Sequence, residues 1–200
     1  MHGRVNTVRG ATALADGIPY LDEYVLPLLH RQPGYRGGMA SIDESSGVFG
    51  LITLWEDATA LEASERAAAA ARSEVQRLMG GAVTVATFDQ VVSAIGHPPP
   101  AAGCLVRFVS FRLDPARLGE SGAFFESDIL PAIRRSPGFR GVRNFIDSTT
   151  GRGLTATIVS DDDALTAAAA GFEARRDTDE ARGISYGEIA HRKVLQIGRL

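Results

Sequence analysis

An internal repeat constrains this chain more than any other feature. The stretch Leu26-Pro27-Leu28-Leu29-His30-Arg31-Gln32-Pro33-Gly34-Tyr35-Arg36-Gly37 recurs 104 positions later as Leu130-Pro131-Ala132-Ile133-Arg134-Arg135-Ser136-Pro137-Gly138-Phe139-Arg140-Gly141. Without a gap the match runs on through Ile42-Asp43 and Ile146-Asp147, Gly47 and Gly151, Thr53 and Thr157, and Asp57 and Asp161, to Ala60-Leu61 and Ala164-Leu165, with 14 identities in the 36 positions 26–61. A period near one hundred residues is too long for a solenoid and matches a small duplicated domain. Two copies of one unit therefore fill the 200 residues.

A unit of roughly 100 residues buries too little apolar surface to stand easily alone, so the copies are expected to share an intimate interface. Acidic and basic residues are interspersed at a net charge of −3. No basic run is interleaved with aromatics, which leaves nucleic-acid binding unsupported. The single cysteine, Cys104, has no internal disulfide partner, which fits a reducing compartment. Residues 1–10 alternate polar and apolar where a signal peptide needs an apolar core. No uninterrupted apolar run approaches the ~18 residues that span a bilayer. The expectation is a cytoplasmic protein with no membrane partner.

Residues 4–9 alternate as a strand. From Ile18, Leu21, Tyr24, Val25, Leu28 and Leu29 fall at i, i+3, i+4, i+7 and i+8, one buried stripe of a helix. Pro27 lies inside that helix, and Pro131 inside its counterpart, so a kink or a restart with proline in the first turn is expected. Pro33-Gly34 ends the helix. Strands are expected at 35–43 and 48–55 around a hairpin turn at 44–47, the second apolar on both faces. Asp57 is the expected N-cap of a helix over 58–79, stopped by Gly80-Gly81, and residues 82–92 form a fourth strand. The second copy repeats this with strands at 105–113, 139–147, 154–160 and 185–197 and helices at 115–135 and 164–182. Three consecutive prolines, Pro98 to Pro100, mark the spacer. The division is repeat 1 over 1–93, a linker over 94–103, and repeat 2 over 104–200.

The order βαββαβ is a ferredoxin-like unit, two helices on one face of a four-stranded antiparallel sheet. Each sheet leaves one face to bury, and the other copy's sheet is the apolar surface on offer. The predicted fold class is α+β, two ferredoxin-like repeats packed as a pseudo-dimeric eight-stranded barrel with four helices outside. Exposed sheet edges leave open whether the pseudo-dimer pairs again.

The Pro33-Gly34-Tyr35-Arg36-Gly37 step, the Asp43 to Gly47 hairpin, and Leu54-Trp55-Glu56-Asp57 before Ala60-Leu61 resemble the antibiotic-biosynthesis monooxygenase-like family of dimeric α+β barrels. The resemblance covers copy 1 and, more weakly, copy 2. It implies oxygen insertion into electron-rich aromatics without metal or flavin, including quinone formation on polyketide-derived phenols; a related branch binds and degrades haem. Trp55 matches the tryptophan closing the third strand of the quinone-forming enzymes. Their asparagine four residues earlier is Leu51 here, and their tyrosine six residues later is Leu61. Asn6 stands at the distance from Pro33 that the haem-degrading branch uses. That branch's helix tryptophan and iron-ligating histidine fall on Ser64 and Ser73.

Each candidate has a functional and a plain structural reading. Trp55 is a pocket wall or core packing. Asn6 is set apart by its copy 2 counterpart, Val109 after a one-residue shift: an amide where the sister unit uses valine meets something polar, or bonds locally to backbone. Tyr24 orients a phenolic substrate or closes the core edge. Asn6 and Trp55 are the candidate catalytic residues, and Tyr24, Phe49, Leu51, Leu61 and Phe88 the candidate substrate-binding ones. His30, His97 and His191 share no metal-binding spacing, so no metal and no cofactor are expected. Arg36 and Arg140 read as strand-start arginines paired with acids, and Asp161-Asp162-Asp163 as a helix start.

The function that follows is a cofactor-independent monooxygenase-like oxidoreductase acting with O2 on a small aromatic or polyketide-like molecule. The rival is a non-catalytic barrel that binds a small hydrophobic ligand, or haem without turnover. Because copy 2 carries Val159 for Trp55 and Val109 for Asn6, any working pocket is expected in copy 1.

Overall fold

The structure is a computed structural model and describes residues 1–198. It is α+β, with antiparallel strand pairing throughout and two compact units whose ends do not coincide with the sequence repeats. The first unit is Met1–Asp89 joined by the chain's end from Val194; the second is Gln90–Lys193.

The first unit runs β1 (His2–Arg9), α1 (Leu14–Tyr20), a π-helical turn Leu21–Val25, α2 (Leu26–His30), β2 (Tyr35–Asp43), β3 (Val48–Trp55), α3 (Ala58–Ala63), α4 (Glu65–Met79) and β4 (Ala82–Phe88). Its strands lie in the order β4-β1-β3-β2, and the end of the last strand of the chain, β9 (Ser185–Ile197), is β2's other neighbour. There the Gly198 N–H donates to the Gly38 carbonyl at 3.0 Å, Gln196 Nε2 donates to Asp22 Oδ1 at 2.6 Å, and Leu195 packs on the core.

The second unit runs β5 (Gln90–Ile95), β6 (Leu105–Arg112), a 3-10 turn Pro115–Arg117, α5 (Leu118–Phe124), a π-helical turn Phe125–Ile129, α6 (Leu130–Arg134), β7 (Phe139–Ile146), β8 (Arg152–Val159), α7 (Asp162–Glu173), α8 (Arg176–Ala181) and most of β9. Its strand order is β9-β6-β8-β7-β5. The expected fourth strand over 82–92 is thus two strands. Phe88 still pairs with Gly3 of the first unit, whereas Gln90 pairs with Ile146 of the second. β5 thus joins the sheet of the second unit, and the end of β9 from Val194 joins that of the first.

The residues that recur between the copies are the ones that bend and cap the chain. Asp57 Oδ1 accepts the Ala60 N–H at 2.8 Å, and Asp161 Oδ1 the Ala164 N–H at 2.9 Å, both as N-caps. Gly34 and Gly138 hold φ of +74° and +64°, and a Cβ on either would stand 2.5 Å from the Cβ of Ala60 or Ala164. The Pro-Gly step and the Ala-Leu helix start are therefore one device: the loop lies against the first turn of the next helix, and only glycine against alanine allows the approach. Arg36 pairs with Glu56 at 2.8 Å, both half-exposed.

The first helix departs from the predicted stripe. In both units a π-helical turn precedes the proline of the next segment, and Pro27 and Pro131 each sit in a restarted first turn. A proline ring has no N–H and collides with the preceding turn, which the wider π turn accommodates. That turn carries more residues than an α turn, so burial falls at spacings of four: Leu21, Val25 and Leu29. Tyr24 is 61% exposed and stacks on Tyr20 at 5.3 Å. Leu21, Val25 and Leu29 meet Val8, Ala40, Phe49, Leu51, Trp55, Leu61, Ala71, Val75 and Met79 in the first unit's core. Each fully buried large side chain contributes roughly 1.5–3 kcal/mol. Among the described residues no helix is long and apolar enough to cross a membrane.

Candidate functional site

Three rungs of the first unit's sheet form one wall of a cavity. Alternation along β1 and β3 puts Arg4, Asn6 and Val8 on the same face as Phe49, Leu51 and Thr53, paired Arg4 with Thr53, Asn6 with Leu51, and Val8 with Phe49. Opposite stand Val25, Leu28, Leu29 and Gln32, and from α4 Ala67, Ala68, Ala71, Arg72 and Val75. The run of alanines on α4 leaves the space open. The free volume is about 50 Å³.

Polar groups are few. Arg4, 1% exposed, donates from Nη1 to Ser64 Oγ at 2.9 Å and from Nη2 to the Leu61 carbonyl at 2.7 Å, and Nη2 stands 2.9 Å from Glu65 Oε2. These acceptors exist because the expected helix over 58–79 breaks at Ser64. The Leu61 carbonyl, at the end of α3, takes bonds from Arg4 and from the Ser64 hydroxyl at 2.7 Å. Glu65 is shared with Arg72, so two guanidiniums meet one half-exposed carboxylate and the site keeps an excess positive charge. Burial pushes the Arg4 guanidinium below its ordinary value, against the pull of Glu65; it remains a cation.

Among the described residues, three buried polar atoms here have no partner: Asn6 Oδ1, Arg4 Nε and Arg72 Nη1. The Asn6 amide donates from Nδ2 to the Leu51 carbonyl at 3.3 Å, which fixes its plane and leaves Oδ1 as an acceptor with nothing to accept. A stranded buried polar atom costs about 1–3 kcal/mol, a cost that a bound molecule supplying the missing partner removes. One orphaned acceptor and two orphaned cationic donors suit a ligand with an O–H or N–H at one point and an anionic oxygen at another.

Of the residues singled out in the sequence, Asn6, Phe49 and Leu51 line this cavity together. Trp55 lies one rung beyond, 0% exposed, its Nε1 donating to Thr53 Oγ1 at 3.0 Å, its ring edge-on to Tyr35 at 5.5 Å and 5.8 Å from the Arg4 guanidinium. Leu61 is buried in the core beside the cavity and touches its chemistry through its carbonyl. Phe88 is buried on β4 opposite Gly3, and Tyr24 faces solvent, so neither lines the cavity. Arg4, Thr53, Ser64 and Arg72 were not singled out. A signal for Arg4 existed: strand registers put Arg107 at its place in the second unit, Arg4 pairing with Thr53 as Arg107 pairs with Thr157.

The second unit weakens the expectation that any working pocket lies in copy 1, with copy 2 a structural partner or a differently shaped cavity. It holds a cavity of about 100 Å³, lined by Arg107, Val109, Thr155, Phe172, Arg175 and Tyr186 among others. This cavity is larger than the first unit's and richer in aromatic walls. Val109 pairs with Thr155 as Asn6 pairs with Leu51, so the amide position is apolar here.

Haem fits neither cavity as lined. Among the described residues no histidine, cysteine or tyrosine lines the first, and no histidine or cysteine the second, whose Tyr186 hydroxyl is bound to Asp179 at 2.8 Å. The free volumes are also far below that of a porphyrin.

No protein-family model matches the chain. It is 26% identical over 199 residues to the uncharacterized protein Rv2558 of Mycobacterium tuberculosis, covering 99% of this chain and 78% of that one. It is 24% identical over 166 residues to Rv2557 of the same organism, covering 82% and 74%. Among solved structures the fold is shared with a proposed monooxygenase of Fusobacterium nucleatum, with a TM-score of 0.70 at 12% identity over 99% of this chain and 94% of that one. An anthrone oxidase-like protein gives 0.61 at 13% identity, covering 98% and 90%. A haem-binding protein of Thermus thermophilus gives 0.54 at 13% identity, covering 98% and 91%. The resemblance carried by the Pro-Gly-aromatic step and the Leu-Trp-Glu-Asp strand end is thus a resemblance of fold.

Proposed function

We propose that the first unit binds a small electron-rich phenol or enol of the polyketide-like class as its anion, and that the bound anion itself reduces O2, with no cofactor taking part. The observation that carries this reading is the partnerless Asn6 Oδ1 on an apolar wall next to an uncompensated guanidinium. Arg4 and Arg72 hold the substrate's oxyanion through their free N–H groups and so favour ionisation, while Asn6 accepts a second hydroxyl and fixes the ring. In the reaction, one electron passes from the anion to O2. The substrate radical and superoxide combine into a C–O bond, and the protonated peroxide loses water to leave a carbonyl. One oxygen atom ends in the product and one in water. The apolar walls keep bulk water from the peroxide. Trp55 acts here as a positioning residue, holding Thr53 and backing Arg4.

The free volume of about 50 Å³ is well below the roughly 150 Å³ that holds benzene, so a ring enters only with movement of the wall, and a second reading is a ligand-binding module without turnover. Oxygen uptake by chelator-treated protein, with a panel of anthrones and dihydroxynaphthalenes, separates the two. Oxygenation predicts uptake above the buffer rate, with kcat falling on the order of 100-fold in Asn6→Ala, and Trp55→Phe acting mainly on KM. Ligands that bind without any uptake would establish the module instead.

A further inference from the structure

We propose that the second unit's cavity is a separate site for a single-ring aromatic carboxylate, independent of any oxygenation in the first unit. Its walls differ from the first unit's in the features that choose a ligand. In sheet register Tyr186 faces Phe111 as Val83 faces Val8, so a ring replaces an aliphatic side chain. Phe172 packs edge-on to Tyr186 at 4.7 Å, and Val109 stands at the amide position of Asn6. The wall has gained ring surface and lost its neutral polar anchor.

The cation beside these rings is Arg107, whose side chain is 6% exposed and whose guanidinium lies 5.0 Å over the Phe172 ring. Its Nη1 donates to His191 Nε2 at 2.8 Å, a contact that requires the imidazole to be neutral; burial and then the Arg107 charge push that histidine down. Its Nη2 reaches Glu173 only at 4.0 Å, and that carboxylate is half in solvent. Nε is buried without a partner. Arg175, on the same cavity, is already matched: Asp179, 1% exposed, accepts from Arg175 Nη2 and from the Tyr186 hydroxyl, each at 2.8 Å. Among the described residues this buried guanidinium therefore has no buried counter-charge, and its neighbours are aromatic. A planar carboxylate on an aromatic ring answers both, by an N–H···O bond to Nε and ring packing on Phe172 and Tyr186.

Volume sets the size. The cavity has about 100 Å³, and an adjoining one of about 30 Å³ shares Ile129, Thr155 and Tyr186 with it. A cavity of roughly 150 Å³ accommodates benzene. The two together fall somewhat short of that, so a single ring enters with a small movement of the wall and a fused pair is excluded.

The test is calorimetric titration of the full chain with benzoate and with benzamide, its neutral counterpart of the same shape. The site predicts benzoate binding at least 10-fold tighter than benzamide, with Overhauser contacts from the benzoate ring to the Phe172 and Tyr186 rings. Arg107→Gln should erase the preference. Ala168→Leu, a larger side chain on the cavity wall, should abolish binding, and Ala68→Leu in the first unit should leave it intact. Equal affinities, no binding at millimolar benzoate, or ring contacts at Val25 and Phe49 instead would each overturn the proposal. The ligand comparison and the contacts need only the wild-type chain, so they stand even where a variant fails to fold. None of these readouts involves oxygen, so this proposal and the first unit's oxygenation fail separately.

Discussion

Arg4 shows how one side chain ties the cavity to the architecture. It emerges from the middle of a strand, crosses to the break between α3 and α4, and satisfies the carbonyl and hydroxyl exposed by that break. Arg4→Met should destabilise the protein by roughly 1–3 kcal/mol, since it removes one of the two donors to the Leu61 carbonyl and the donor to the Ser64 hydroxyl, and leaves Glu65 to Arg72 alone. Urea denaturation measures this, and a loss under about 1 kcal/mol would show the junction to be held by packing. Asn6 was legible in the sequence because its sister is a valine. Arg4 was passed over although the same one-residue shift sets it against Arg107, because an identical residue in both copies gives no contrast. A buried arginine also reads in sequence as a polar residue of an alternating strand, since nothing local announces the acceptors waiting 57 and 60 residues away.

Among the elements, the hairpins between β2 and β3 and between β7 and β8 are copies of one turn. Asp43 accepts from the Ser45 hydroxyl at 2.6 Å, the Ser46 hydroxyl at 2.5 Å and the Ser45 N–H at 3.0 Å; Asp147 accepts from the Thr150 hydroxyl at 2.5 Å and the Thr149 N–H at 3.0 Å. These bonds, the hydroxyls foremost, hold both carboxyl groups below their ordinary value. A carboxylate depressed in the folded state stabilises fully above its unfolded value of about 3.9 and loses that contribution as pH falls through the folded one. The double variant Asp43→Asn, Asp147→Asn should therefore be less stable than wild type at pH 7, with the gap closing below about pH 4. Thermal melts across that range would reveal it, and a constant gap would assign the effect to turn geometry. Helix caps, turns and the Pro-Gly step were legible because each needs a particular residue at a particular place. The π turns and the break at Ser64 were not. A π turn differs from an α turn by one residue of phase, which a stripe such as Leu21, Tyr24, Val25 cannot resolve, and it is why Tyr24 faces solvent. The division of residues 82–95 into β4 and β5 depends on partners distant in sequence, Gly3 for one and Ile146 for the other.

At the scale of the whole molecule, the duplication was plain in the sequence, but the reciprocal loan of strands was not. β5 lines the edge of β7 in the second unit, and residues 194–197 of β9 line the edge of β2 in the first. An unpartnered β2 would present a row of free backbone groups. A chain ending at Lys193 should therefore exchange its β2 amides faster while β6, β7 and β8 keep their protection, as read by hydrogen–deuterium exchange. Uniform acceleration would mean that the units do not open separately. The loan also sets an order of events during synthesis. When Asp89 has been made, β1 to β4 are complete as sequence, yet the strand that covers β2 lies beyond the 104 residues of Gln90–Lys193. At roughly 5–20 residues per second the ribosome takes roughly 5–20 s to reach it. For that interval the nascent first half carries an open β2 edge, a row of backbone donors and acceptors with which another strand can pair.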